Sequence, residues 1–274
     1  MPELPEVETV VRSIRPLIVG KTIKAVETAA DYPKVLATHT PAEFNRLIRG
    51  QSIVAARRRG KYIVLELNSG YLLIHLRMTG RLLAHLGPED KSRHITATIV
   101  FGDRSKLYFK DYRKFGRFYY SESLAFIEIK LGVEPLGNEF TAPWMISRLK
   151  TSKQKIKPLL LDQSFIAGLG NIYVDEALWA AKIHPETTSN KISRNKTIML
   201  HDVIQLILKR SIAKNGTTII NFKFGDGETG EFVNELKIFD RTGEPCPRCN
   251  TGIIKTRVAQ RGTYLCPRCQ KQAK

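Results

Sequence analysis

Met1-Pro2-Glu3-Leu4-Pro5-Glu6-Val7-Glu8-Thr9-Val10-Val11 opens a chain of 274 residues. Val7, Val10, Val11, Ile14 and Leu17 recur at helical spacing, which predicts an amphipathic helix starting almost at once, with Gly20 as its stop. Pro16 is expected to kink or end that helix near Arg15, because proline lacks the N–H that the helical ladder uses. A terminus tied down in this way differs from the usual loose chain end. Processing normally removes an initiator methionine that precedes a residue as small as proline. Pro2 would then carry a secondary amine beside the carboxylate of Glu3. An α-amino group has a pKa of roughly 7.7–8.0, so part of it is an uncharged nucleophile at neutral pH. Such an amine can form the cationic imine that enzymes otherwise make with lysine. On these residues alone an ordinary Met-Pro start is the more frequent case, so the rest of the chain has to decide.

Composition narrows the class. Lys and Arg number 44 against 26 Asp and Glu, a formal net charge of +18, and the basic residues run along the whole length. That balance points to a polyanion partner, most simply nucleic acid. No apolar run reaches the ~18–20 residues of a membrane span, and no charged-then-apolar leader opens the chain. The expectation is therefore no membrane and a cytoplasmic, reducing setting. All four cysteines fall from position 246 onward in two Cys-x-x-Cys pairs, a metal pattern rather than a disulfide framework.

Outward from the first helix, the period changes. Thr22 to Ala29 reads as a strand, and Pro41 to Ile48 as a short helix with Thr40 as N-cap and Gly50 past its end. Residues 53–55, 62–67, 71–76, 95–101 and 106–109 read as strands divided by Asn68-Ser69-Gly70 and Gly102-Asp103 turns. These signals predict a β-sandwich flanked by the first helix, closed by a short helix near 123–131 and followed by a linker over 132–141. The second half is helical, at 144–150, 158–161, 172–181 and 194–215. A polar, Gly-rich loop over 216–232 is too long to be a simple connection. The fold class is α+β, divided as 1–131 (helix and sandwich), 132–234 (helical lobe) and 235–274 (a four-cysteine zinc finger).

Cys246-Pro247-Arg248-Cys249 and Cys266-Pro267-Arg268-Cys269 are separated by sixteen residues. Two such knuckles bring four thiolates into a tetrahedron around one structural Zn2+, leaving no open position for a catalytic water. The hairpin between them carries Arg257 and Arg261. Ala167-Gly168-Leu169-Gly170-Asn171 suits a close backbone approach to phosphate ahead of a helix N-terminus, although a plain helix-to-helix turn explains two glycines equally well. Lys153, Lys155 and Lys157 upstream fit a phosphate track or a solvated run. Arg57-Arg58-Arg59-Gly60-Lys61 lies at a strand-to-strand turn. His75-Leu76-Arg77-Met78-Thr79-Gly80 and Asp111-Tyr112-Arg113-Lys114-Phe115-Gly116 each leave a strand for a loop. Taken alone, Met78 and Phe115 read as core.

These motifs, in this order from Pro2 to Cys269, resemble the bacterial formamidopyrimidine-DNA glycosylases (the Fpg/MutM family). Gly168-Leu169-Gly170-Asn171-Ile172-Tyr173-Val174-Asp175-Glu176 is similar to that family's helix-two-turn-helix, and Ala259-Gln260-Arg261-Gly262-Thr263 to its zinc finger. The resemblance implies a monomeric bacterial repair enzyme that excises 8-oxoguanine and formamidopyrimidines from duplex DNA and cleaves abasic sites. It implies Pro2 as the Schiff-base nucleophile, Glu3 as the proton shuttle, and Lys61 and Arg261 at the nucleophile and the phosphates. Glu6 and Glu176 would stand in support. Met78, Arg113 and Phe115 would enter the minor groove and fill the hole left by the extruded base, with Arg113 on the orphaned cytosine. His75, His94, Lys157 and Asn171 would contact the DNA backbone. DNA would lie bent across a cleft between lobes.

Some positions depart from the family pattern. Ser92-Arg93-His94 stands where His-Asp-His is usual, Ser152 and Gln154 break the lysine cluster, and Asn215-Gly216-Thr217-Thr218 replaces a Gly-Gly start to the lesion loop. They bear on single phosphate contacts and on the loop. Two alternatives remain open at this point. Endonuclease VIII-type enzymes share the layout, prefer oxidised pyrimidines and usually begin Pro-Glu-Gly. A non-catalytic DNA-binding zinc protein would need no Pro2 amine.

Overall fold

A computed structural model describes residues 2–88, 90, 92–217, 223–224 and 228–272. The chain separates into two units, one of Met1–Ile129 with Lys214–Glu231 and the other of Lys130–Ala213 with Phe232–Lys274.

In the first unit, helix α1 runs Leu4–Ile18 from a capping box, in which Glu6 takes the Glu3 N–H and Glu3 takes the Glu6 N–H. Its buried stripe is Val7, Val10, Val11, Ile14 and Ile18. Ile18 rather than the expected Leu17 completes it, because i+4 from Ile14 continues the face. Each such side chain contributes roughly 1.5–3 kcal/mol of burial before entropy is counted. Pro16 does not end the helix. It lies in the last turn, where its missing N–H forfeits a single ladder bond.

Strand β1 spans Ile23–Thr28, and helix α2 spans Pro41–Ile48 under a Thr40–Glu43 capping box. Strands β2 (Ile53–Arg59), β3 (Tyr62–Leu67), β4 (Tyr71–His75), β5 (Arg81–Leu83), β6 (Ile95–Phe101), β7 (Lys106–Lys110) and β8 (Arg117–Ser121) follow. They form two four-stranded sheets, β1-β6-β7-β5 and β2-β3-β4-β8, every neighbour antiparallel. One core joins α1, α2 and both sheets through Ile14, Phe44, Ile63, Ile74, Phe101, Phe109 and Phe118. β5 and β8 escape a reading by period, since three residues are too few and Arg117-Phe118-Tyr119-Tyr120-Ser121 follows a loop motif directly. The expected helix over 123–131 is a single turn, α3, at Ala125–Glu128.

The second unit holds α4 (Ala142–Thr151), α5 (Ile156–Leu161), α6 (Asn171–Ala180) and α7 (Arg194–Ala213). The expected linker belongs to it, since Val133 bridges Ile166 and Gly132 N–H donates to Gln163 O at 2.8 Å. Lys214–Glu231 returns to the first unit, with two-residue strands β9 (Lys223–Phe224) and β10 (Glu228–Thr229). Most of the expected lesion loop, 218–222 and 225–227, lies outside the described residues. Strands β11 (Ile254–Val258) and β12 (Arg261–Leu265) form the C-terminal hairpin. That hairpin falls within the second unit. Trp179 of α6 packs in one apolar cluster with Ile238, Cys246, Ile253, Tyr264 and Cys266. Among the described residues, no helix is long and apolar enough to cross a membrane.

Candidate active site and nucleic-acid interface

Pro2 is buried immediately before α1, and Glu3 beside it is 2% exposed. Glu6, one turn on, connects this terminus to a segment more than 200 residues away. Its Oε2 accepts the Glu3 N–H at 2.9 Å, while its Oε1 accepts the Thr217 N–H at 2.8 Å and the Thr217 hydroxyl at 2.9 Å. Gly216, at φ +80°, permits the approach, and a Cβ there would lie 2.9 Å from Glu6 Oε1. Glu6 therefore holds the N-terminus and the start of the 217–231 segment together.

Lys61 sits in the two-residue turn between β2 and β3, made possible by Gly60 at φ +54°. Arg57, Arg58 and Arg59 extend β2 rather than forming the turn. Tyr62 pairs with His75, and His75 with Arg117, so these three lie in one row across the sheet. The His75 ring meets the edge of Tyr62 with centroids 4.7 Å apart, and its Nδ1 accepts the Arg77 N–H at 3.0 Å. The ring proton therefore belongs on Nε2. Burial first, then the charges of Arg77 and Lys61, push the imidazole from 6.5 down to about 3. His75 is thus a neutral N–H donor throughout the physiological range.

Two loops leave the C-terminal ends of β4 and β7. They carry the exposed apolar side chains Met78 (39%) and Phe115 (46%), which are not core residues. The Arg113 guanidinium lies 4.6 Å from the centre of the Phe115 ring. Exposed apolar groups backed by an arginine suit insertion into a stack of bases. Asp111, 1% exposed, stands beneath both loops. It takes the Thr79 hydroxyl and the N–H groups of Arg113 (3.2 Å) and Gly116 (2.7 Å). The backbone carbonyl of His94 accepts the Asp111 N–H at 2.8 Å, and the His94 ring lies 4.4 Å from Tyr112.

In the second unit one expectation needs correction. Lys157 is fully buried, its ammonium donating to Asp175 Oδ1 (2.7 Å), Thr263 Oγ1 (2.8 Å) and Gly262 O (3.0 Å). It braces the hairpin and does not offer its charge to a phosphate. Glu176, expected to stand in support, takes the N–H groups of Lys237, Ile238 and Phe239 on its carboxylate at 2.8–3.0 Å. Its neighbour Asp175 takes the Tyr264 N–H at 3.0 Å, and burial lifts Asp175 to about 6 against the pull of Lys157. Asn171, the first residue of α6, donates to Gly262 O at 2.9 Å, while its Oδ1 is buried with no hydrogen-bond partner among the described residues. Arg261 is exposed at the hairpin turn, where Ala259 and Gln260 both take positive φ. Lys155, in turn, pairs with Glu186.

The four cysteine Sγ atoms all lie within 4.8 Å of one another. Neighbouring sulfurs are 3.4 Å apart for Cys249–Cys266 and Cys249–Cys269, and 4.0 Å for Cys246–Cys269. A tetrahedron of Zn–S bonds of about 2.3 Å places sulfurs ~3.8 Å apart, so the quartet fits the ion. Trp179 Nε1 donates to Cys246 Sγ at 3.4 Å, and the Arg248 guanidinium covers the Trp179 ring at 4.2 Å. The sequence offered no sign of this tie between knuckle and helix. Asp111 and Thr79 were equally invisible in it, although both stand inside quoted motifs.

Two predictions arise from these environments. His75 has a folded pKa below its unfolded value, so its contribution to stability is present above 6.5 and is lost as pH falls toward 3. His75→Asn should therefore flatten the fall in urea midpoint between pH 6.5 and 4. Lys157→Met leaves Asp175 buried without its cation and should cost about 3–5 kcal/mol in urea unfolding. A surface phosphate contact would cost nothing measurable.

Comparison with known proteins agrees with this architecture along the whole chain. Residues 1–118 match the formamidopyrimidine-DNA glycosylase N-terminal domain, residues 131–223 the formamidopyrimidine-DNA glycosylase H2TH domain, and residues 243–272 the zinc finger found in FPG and IleRS. The formamidopyrimidine-DNA glycosylase of Herpetosiphon aurantiacus is 44% identical over 98% of this chain and 100% of its own length. That of Bacillus licheniformis is 42% identical over 99% and 100%. A solved structure of MutM in complex with carbocyclic 8-oxo-G containing DNA is 40% identical and superposes with a TM-score of 0.89 over 99% of this chain and 100% of that one. The Lactococcus lactis Fpg with abasic site containing DNA gives 0.87 at 40% identity, over 98% and 100%. On these matches the chain belongs to the formamidopyrimidine-DNA glycosylase family.

Proposed function

We propose that this protein excises oxidised purines, 8-oxoguanine and formamidopyrimidines, from duplex DNA and then cleaves the resulting abasic site. The observation that carries the reading is the anchored N-terminus, where Pro2 and Glu3 are buried and Glu6 fixes the Glu3 N–H. A nucleophile on a rigid element keeps its reacting atom in place. The relatives solved with 8-oxo-G and abasic-site DNA support the substrate class.

With Met1 removed, the Pro2 amine attacks C1′ of the damaged nucleotide. The N–C1′ bond forms, the base departs with the glycosidic electron pair, and Glu3 passes a proton to the opening sugar ring. A secondary amine gives an iminium that cannot be neutralised by losing a proton from nitrogen. It therefore remains an electron sink while β- and then δ-elimination expel the two phosphates, leaving a one-nucleotide gap. Lys61 and Arg261 hold the phosphates of the flipped nucleotide, and His75, His94 and Asn171 the flanking backbone. Met78, Arg113 and Phe115 fill the vacated stack, with Arg113 on the orphaned cytosine. The cysteine quartet holds one structural Zn2+, which supplies folding free energy to the hairpin that presents Arg261.

The direct assay compares cleavage of duplexes bearing 8-oxoguanine or thymine glycol, with and without one extra residue ahead of Pro2. The purine lesion should be preferred, and the extension, which turns the amine into an amide, should abolish cleavage while lesion binding persists. Undiminished cleavage by the extended chain would overturn the mechanism. For the metal, Cys249→Ser should lower zinc content and weaken DNA binding while the first unit stays folded. Full DNA affinity in a zinc-free parent protein would contradict the structural role.

A further inference from the structure

We infer that Asp111, acting with Thr79, is a positioning residue for recognition of the base opposite the lesion. The inference rests on the reading of Met78, Arg113 and Phe115 as the wedge. A carboxylate buried as completely as Asp111 is tolerated where its oxygens are satisfied, and here every donor comes from a wedge loop. Oδ1 takes the Thr79 hydroxyl and the Arg113 N–H, and Oδ2 takes the Gly116 N–H at 2.7 Å. The Arg113 N–H is shared with Thr79 Oγ1, at 3.2 Å to each acceptor. Thr79 follows Met78, and Arg113 and Gly116 flank Phe115, so one carboxylate fixes the spacing between the two halves of the wedge.

The surroundings leave little room for that spacing to drift. Both loops turn over the same ring: a Cβ on Gly80 or Gly116 would lie 2.7 or 2.3 Å from Phe109 Cζ. Both pass through left-handed backbone at a residue other than glycine, Arg77 at φ 54° and Lys114 at φ 55°, which needs support from neighbouring bonds. From the far side, the Tyr32 hydroxyl donates to Lys114 O. Neither Asp111 nor Thr79 need touch DNA; each acts by aiming Arg113 and Met78.

The test is the ratio of kcat/KM for 8-oxoguanine opposite cytosine to that opposite adenine. It would be measured for the parent, Thr79→Val, Thr79→Ser, Asp111→Asn, Arg113→Ala and the Thr79→Val/Arg113→Ala pair. Loss of a hydrogen bond to a charged group should lower the ratio about tenfold in Thr79→Val and in Asp111→Asn. Thr79→Ser should restore it, and the double variant should fall no further than Arg113→Ala alone, because Thr79 works through Arg113. If Asp111→Asn does not fold, the Thr79 variants decide alone. A parent-like ratio in Thr79→Val, or independent losses that multiply in the double variant, would overturn the inference. A parent-like ratio in Arg113→Ala would instead remove the wedge reading beneath it.

Discussion

The buried carboxylate of Glu6 joins the first turn of α1 to Thr217 through three hydrogen bonds. Removing it would strand the Glu3 N–H and both Thr217 donors inside the first unit, at about 1–3 kcal/mol for each group left unsatisfied. The contact is local on one side, since the capping box sets it within a single turn. On the other side it spans 211 residues of sequence. It explains how a chain terminus, ordinarily the least ordered part of a protein, is held in place here, as the proposed nucleophile at Pro2 requires.

The same device recurs. Asp111 holds Arg113 and Gly116 by their N–H groups, Asp175 holds Tyr264, and Glu176 holds residues 237–239. Asp111 fastens the loops that carry Met78, Arg113 and Phe115, Asp175 the strand between Arg261 and Cys266, and Glu176 the segment whose Ile238 packs with Cys246. A carboxylate suits the task because it accepts several N–H bonds at once and each is charge-assisted. Met78, Arg113, Phe115 and Arg261, on the segments so held, are exposed. In a chain of net charge +18, these buried acids work as anchors, and the excess of basic residues suits the polyanion partner proposed.

What could be read in advance follows the range of the interactions concerned. Thr40-Pro41 declares a helix start, and two Cys-x-x-Cys pairs declare a metal site, because the deciding atoms are neighbours in sequence. The family motifs place Pro2, Lys61, Arg113 and Asn171 by analogy, whereas their surroundings come only from the fold. Lys153, Lys155 and Lys157 look alike along the chain. Only tertiary packing buries Lys157 against Asp175 and leaves Lys155 on the surface with Glu186. Pro16 misleads because its cost depends on position within the helix rather than on its presence. Asp111 and Glu176 look like surface acids until the backbone donors that surround them are known.

The proposed catalysis depends on the chemistry of one nitrogen. Incubating the protein with an 8-oxoguanine duplex in the presence of borohydride, then mapping the protein–DNA adduct by peptide mass, tests that nitrogen directly. The expected result is a stable adduct on the N-terminal peptide, at Pro2 with Met1 absent. An adduct on Lys61, or none at all while the strand is still cleaved, would contradict it.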